Sequence, residues 1–355
     1  MKGRRAVRRL GALTGAALVW GLAFPNFLFH SWGNPLFGLL APALLLLATR
    51  AGRPGRVFLW GYCAGLLHYL SSVYWILHIP YPPMHIPGWL ALGGYCALYP
   101  AVWVWACWRL WPGEGNWADN FASADSHARL VWALNCAGAW VGLEMLRTVV
   151  VSGFPWNLLG VSQHGFLPLA QFASVFGVYG ISFLLVFGSM TLLGVCQLRR
   201  RLPSREWVPA TGALVLVAAW GGWAMSQSPE ERGFIRFALV QPAIPQLVKD
   251  HPGRSFEMFR TRTLRLTDDA VQDNRMADVI VWPETATPHW FLQDGMAEPR
   301  EALLGLARDA KLWMIIGSAV SVPKTVHPGG VMEVGDYLHY NSRLLISREG
   351  KITGR

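Results

Sequence analysis

The sequence is poor in charge. Only 15% of its 355 residues are Asp, Glu, Lys or Arg, against roughly 25% in an average soluble domain. Acids are scarcest before Met225, where there are five: Glu114, Asp119, Asp125, Glu144 and Glu206. With 53% hydrophobic residues, this excludes a disordered chain, which needs low hydrophobicity and high charge. Cysteine is scarce as well. The five, Cys63, Cys96, Cys107, Cys136 and Cys196, all lie in apolar runs and none forms a CxxC pair. Neither a zinc site nor a disulfide framework is suggested, and each thiol reads as a small apolar residue in apolar surroundings. No metal or cofactor is expected.

What is present is a net charge of +10, which on a soluble protein points to nucleic acid. Its placement says otherwise. Fifteen basic residues precede Met225, while the remaining residues hold sixteen of each sign. The excess therefore lies between long apolar runs, and no nucleic-acid partner is expected.

A helix crosses a bilayer core with about 20 apolar residues. Runs of that order lie at Leu10 to Phe24, Phe27 to Ala48, Val57 to Leu77, Gly88 to Trp111, Leu130 to Val151, Val178 to Leu198 and Trp207 to Met225, predicting a bundle of seven spans. The first follows a basic segment but has no Ala-x-Ala cleavage site, so it reads as an anchor and not a signal peptide. The N-terminal segment, Arg50 to Arg56 and Arg199 to Arg205 are basic, and they alternate with loops free of charge at Pro25-Asn26, His78 to Pro87 and Ser152 to Gly165. The positive-inside rule then places the N-terminus in the cytoplasm and everything after Met225 outside.

Within the bundle, Glu144 and Arg147 stand three apart and are expected to pair on one helix face. His68, His78, His85 and His164 show no ligand spacing and are expected to pack at the interface. The segment Ser152 to Gly160 is apolar yet broken by Gly and Pro, so it must dock on protein or line a cavity, with Pro168 to Phe176 as an interfacial helix after it.

Beyond Met225 strands alternate with helices: strand Phe234 to Val240, helix Ser255 to Arg275, strand Val279 to Trp282, helix Glu298 to Lys311, strand Trp313 to Val320, and a hairpin of Tyr337 to Ile346 with Lys351 onward. That pattern indicates an α/β layered domain. The domains expected are a helical membrane bundle over 1–225 and an exported domain over 226–355. Glu284 follows the apolar strand ending in Trp282-Pro283, at the carboxyl edge where open sheets place ligands. Partial burial there would raise its pKa and suit it to general-base work; the plainer alternative is an exposed turn residue.

The segment Trp282-Pro283-Glu284-Thr285-Ala286-Thr287-Pro288 resembles the first catalytic motif of the carbon-nitrogen hydrolase (nitrilase) superfamily. With the bundle, it resembles the apolipoprotein N-acyltransferases of bacterial inner membranes. Leu22-Ala23-Phe24-Pro25, Ser152-Gly153-Phe154-Pro155-Trp156 with Leu159-Gly160 and Ser162-Gln163, Leu239-Val240-Gln241-Pro242 with Ile244-Pro245-Gln246, and Tyr340-Asn341-Ser342 carry the same likeness.

The resemblance implies the first part of an α-β-β-α sandwich. It implies transfer of an acyl chain from a membrane phospholipid to the N-terminus of a diacylglyceryl apolipoprotein, through a cysteine thioester. The superfamily triad is Glu-Lys-Cys, and only the Glu carries over, onto Glu284. Phe154, Pro155 and Trp156 are expected to provide lipid access. The family's Lys motif would begin after Arg355 and no cysteine follows Cys196; Lys351, in a turn, is not promoted to the triad. The expectation is a C-terminally truncated, inactive chain with an unpaired apolar sheet edge. A membrane-tethered amidase, and a non-catalytic remnant binding lipid or lipoprotein, are the alternatives.

Overall fold

The computed structural model describes the chain apart from residues 1, 27–30, 52, 82, 113–114, 198–206, 228–232, 250, 274–276, 288–290, 293–295 and 324–336. The basic segment at 199–205 lies outside the described residues, as does the Pro288 end of the Glu284 motif. The chain forms two compact units, 1–229 and 230–355.

The first unit is helical. α1 (Lys2–Leu22) leads through a two-stranded ribbon, β1 (Pro25–Asn26) and β2 (Ser31–Trp32), into α2 (Pro35–Ala48) and α3 (Pro54–Ser72). After a 3₁₀ turn at Tyr74–His78 come α4 (His85–Arg109), the short α5 (Trp117–Asn120) and α6 (Ser126–Arg147). Two further 3₁₀ turns, Val150–Ser152 and Leu159–Gly165, precede α7 (Leu167–Ala170), α8 (Ala173–Gln197) and α9 (Trp207–Ser226).

Each of the seven apolar runs contributes a helix, but the expectation of seven spans is not met by length and composition. Among the described residues three helices are long and apolar enough to cross a membrane: α4, α8 and α9. The sequence explains the shortfall. α1 starts inside the basic N-terminal segment. α2 starts at Pro35 and not Phe27, because Asn34 caps it, accepting from Leu36 N at 3.0 Å, and Pro35 occupies its first turn, leaving 14 residues. α3 gives way at Ser72 to the 3₁₀ turn. α6 carries Asn135, Glu144 and Arg147. The expected helix Pro168 to Phe176 is divided between α7 and α8, and α8 bends at Gly177 (φ +63°).

Small residues bring α3 and α4 close together. A Cβ at Gly61 would lie 2.4 Å from Val104, and one at Gly65 2.5 Å from the Pro100 ring and 3.1 Å from the Ala97 backbone, so two glycines four apart let α3 lie directly on α4. α4 and α6 exchange indole hydrogen bonds: Trp103 Nε1 donates to Cys136 O and Trp132 Nε1 to Cys107 O, each at 2.9 Å. Cys96, Cys107 and Cys136 are buried free thiols in this packing, as expected for small apolar residues.

The second unit holds a five-stranded sheet in chain order: β3 (Phe237–Leu239), β4 (Val279–Val281), β5 (Trp313–Pro323), β6 (Tyr337–Ile346) and β7 (Ile352–Gly354). β3, β4 and β5 are parallel; β5, β6 and β7 are antiparallel. The helices are α10 (Gln246–Lys249), α11 (Pro252–Met258), which continues through a π turn at Phe259–Leu264 into α12 (Arg265–Asp273), and α13 (Ala297–Ala310). α13 ends on Lys311 in the left-handed region (φ +53°), turning the chain into β5. Ala238, Ile280, Met314, Ile316, Leu344 and Ile346 form a core with Phe259, Leu303 and Ala307. On β3, the edge strand, Phe237 and Leu239 are exposed.

Candidate active site

The motif around Glu284 is built on the end of β4. Val279, Ile280 and Val281 pair with both neighbouring strands, as a β-branched run suited to a central parallel strand would. Trp282 N then donates to Ile315 O (2.9 Å) and Ala286 N to Gly317 O (3.0 Å), so the segment between is held along β5. Trp282 is buried against Phe259, and its Nε1 donates to Thr267 Oγ1 at 3.0 Å. Thr287 Oγ1 donates to Ser318 Oγ at 2.8 Å. Between these anchors the chain turns through Thr285 at φ +48°.

Gly317 makes the turn possible. A Cβ there would lie 2.2 Å from Pro283 O and 2.7 Å from Glu284 Cα; any side chain would displace the candidate base. The Glu284 side chain reaches β6, where Asn341 Nδ2 donates to its Oε1. Lys249, at the end of α10, donates from Nζ to Thr285 Oγ1 at 3.3 Å. Glu284 is exposed, as in the plainer of the two readings, and not partly buried. The residue before it in the core is Trp282, and the turn carries Pro283 and Glu284 off the sheet's carboxyl edge into solvent. The carboxylate is thus reachable by an external thiol or amine and already oriented by an amide donor.

In the first unit, Phe154 and Trp156 stack with ring centroids 6.1 Å apart, and Trp156 meets Trp75 at 5.3 Å. Pro155 and Trp156 are exposed, while Leu158, Leu159 and Gly160 are buried. The Leu158 to Gly160 end of this irregular backbone therefore docks on protein.

Two expectations for the bundle are corrected. Glu144 and Arg147 are both buried on α6, but their short contacts run elsewhere: Arg147 donates to the Tyr69 hydroxyl (2.5 Å), and Glu144 accepts from Trp140 Nε1 (2.8 Å) and Leu159 N (2.6 Å). A spacing of three brings side chains near each other without deciding their partners. His68 is not interfacial; it is fully buried and stacked flat on Trp20 with centroids 3.8 Å apart. Beside it, Trp20, Tyr69, Tyr99, Trp140, Glu144 and Arg147 line a cavity of about 20 Å³, room for roughly one water.

Residues 16–191 match the family model described as the apolipoprotein N-acyltransferase N-terminal domain, and residues 236–355 match that of the carbon-nitrogen hydrolases. The chain belongs to the apolipoprotein N-acyltransferase family. It is similar to the apolipoprotein N-acyltransferase of Geobacter metallireducens, 30% identical over 98% of this chain and 62% of that protein. Similar matches are those of Vibrio cholerae (31% identical, 80% of this chain, 52% of that protein) and Chromobacterium violaceum (31%, 80% and 50%). The chain thus spans about half to three fifths of the length of these relatives. The region matching the carbon-nitrogen hydrolases follows the apolar helices along the chain.

Sequence reasoning did not anticipate Gly317, Lys249 or the Asn341 contact. Tyr340-Asn341-Ser342 was visible as a motif, but its reach to Glu284 follows only from the register that places Asn341 opposite Ala319, two residues beyond Gly317.

Proposed function

We propose that this chain carries the membrane part and the general base of an enzyme that N-acylates the diacylglyceryl-cysteine N-terminus of apolipoproteins, using a phospholipid as acyl donor. The observation that carries the reading is Glu284: an exposed carboxylate at the end of β4, held by Asn341, inside the region matching the carbon-nitrogen hydrolases. In the reaction Glu284 takes the proton from a cysteine thiol as sulfur attacks the lipid ester carbonyl. The lysophospholipid leaves with a proton and a thioester forms. Glu284 then takes a proton from the acceptor amine as nitrogen attacks the thioester, and the thiol is regenerated. Oxyanion stabilisation would come from a cation beside the carbonyl.

The same proposal puts the apolar helices of the first unit in a bacterial inner membrane, with the N-terminus cytoplasmic and the region after Met225 on the periplasmic side. It divides the chain into a bundle over 1–225 and a catalytic region over 226–355, and assigns lipid access to Phe154, Pro155 and Trp156. With no cysteine after Cys196, the 355 residues alone are proposed to be inactive. The test joins this chain in frame to the part of the Geobacter relative that it does not match. The hybrid, in phospholipid nanodiscs, is given a diacylglyceryl-cysteine peptide and followed by mass spectrometry. A gain of one acyl chain on the amine, dependent on phospholipid, supports the proposal. Hydrolysis of soluble amides with the peptide unchanged contradicts it.

A further inference from the structure

We infer that Glu144 is a positioning residue: from inside the bundle it fixes the segment 154–159, so that Phe154 and Trp156 with Trp75 present one aromatic face to a phospholipid acyl chain. The inference rests on the lipid-access reading above and extends it to a residue on another element. A carboxyl group buried among apolar helices is costly where it is not satisfied, and Glu144 is only 5% exposed, with both of its hydrogen bonds on one oxygen and Oε2 buried without a hydrogen-bond partner. Its hydrogen bonds do not go to Arg147, whose guanidinium lies near enough to act on it through charge but donates to the Tyr69 hydroxyl and lies over the Tyr69 and Tyr99 rings. Its Oε1 instead accepts two N–H groups, Trp140 Nε1 on its own helix and Leu159 N fifteen residues on.

Leu159 opens the 3₁₀ turn Leu159–Gly165. The first N–H groups of such a turn have no partner within it, so Glu144 acts as a side-chain cap supplied by a different helix. The next amide, Gly160 N, is taken by Ser182 Oγ on α8 at 2.8 Å. At the other end of the segment Phe154 N donates to Arg147 O at 2.8 Å. The aromatic stretch is thus pinned at both ends to positions three apart on α6. Between the pins Asn157 sits at φ +50° and donates to Ser72 Oγ at 3.0 Å. Just before them Val151, Ser152 and Gly153 all have positive φ, at 52°, 65° and 82°. Backbone of this kind, in a β-branched residue above all, persists only where surroundings over-determine it. The Glu144 cap is one such constraint.

The test uses the whole chain in phospholipid nanodiscs. Glu144→Ala removes the acceptor, Glu144→Asp withdraws it from Leu159, and Glu144→Gln keeps an oxygen that can accept both bonds. Two quantities are read: amide exchange over 153–160 against exchange in α4, and crosslinking to lipid acyl chains from a benzoylphenylalanine placed at Trp156. The expected result for Glu144→Ala is exchange over 153–160 faster by roughly tenfold or more, unchanged exchange in α4, and lipid crosslinking reduced several-fold. Glu144→Gln restores both. If Glu144→Ala does not accumulate, Glu144→Asp gives the same comparison with the carboxyl group kept. Unchanged exchange over 153–160, or an equal rise throughout the bundle, overturns the positioning role. If the exchange pattern holds but the parent chain never crosslinks to lipid, the positioning role stands and the lipid-access reading fails.

Discussion

Replacing Gly317 by Ala tests whether the backbone of β5 shapes the Glu284 turn. The new methyl would meet Pro283 O at 2.2 Å and Glu284 Cα at 2.7 Å. Ordinary van der Waals contact begins near 3.4 Å, so the two backbones must separate by about 1.2 Å. Both obstacles are main-chain atoms, and no rotamer change relieves them. Overpacking of this kind costs about 1–3 kcal/mol. Loosening the Ala286 N to Gly317 O hydrogen bond adds about 1 kcal/mol, partly offset by the roughly 0.5–1 kcal/mol gained by removing a glycine from a strand. The net is about 2 kcal/mol, which for a unit of this size lowers its melting temperature by about 6–12 °C. Calorimetry of the whole chain in detergent reads the shift, and amide exchange over 282–287 reads the local displacement. A melting temperature within 2 °C of the parent, with unchanged exchange at the turn, would refute the reasoning.

Three further predictions concern the packing and the base. Gly65→Leu drives a side chain into Pro100 and the Ala97 backbone and is expected to lower bundle stability by about 3 kcal/mol or more, measured as loss of folded protein on heating in detergent; tolerance without loss would show that α3 and α4 are not in close contact. Trp132→Phe and Trp103→Phe each delete one indole bond between α4 and α6 and are expected to cost about 1–3 kcal/mol, read from the midpoint of chemical unfolding in micelles; costs below about 0.5 kcal/mol would remove these bonds from the account. Asn341→Ala removes an exposed contact and is expected to change stability by less than about 0.5 kcal/mol while slowing acyl transfer in the hybrid; a large loss of stability would mean that Asn341 holds the sheet and not the carboxylate.

Much of this architecture is legible in the residues. Val279-Ile280-Val281 reads as a short strand, and the Pro283-Glu284 that follows places a carboxylate at its end. The Arg348-Glu349-Gly350 turn joins β6 and β7 as expected, and each long apolar run contributes a helix. The errors arise where a local signal competes with a pattern. The run from Phe27 looks continuous, yet Gly33-Asn34-Pro35 starts the helix eight residues later, because a cap and a proline outweigh apolar composition. Glu144 and Arg147 have the spacing of an ion pair, but the deciding partners are a backbone N–H fifteen residues on and a tyrosine on α3, which the pattern along one helix does not reveal. The Asn341 contact depends on strand register, which is fixed by pairing across the sheet and not by any one segment.

Glu284 is proposed to act as the base of an acyl transfer. Its most direct test is the rate of phospholipid-dependent N-acylation of a diacylglyceryl-cysteine peptide by the hybrid protein, compared with its Glu284→Gln variant at matched folded concentration. The account predicts a rate lower by a factor on the order of 10²–10⁴ in the variant, with an unchanged melting temperature because the side chain is exposed. A variant that transfers the acyl chain as fast as the parent would contradict it.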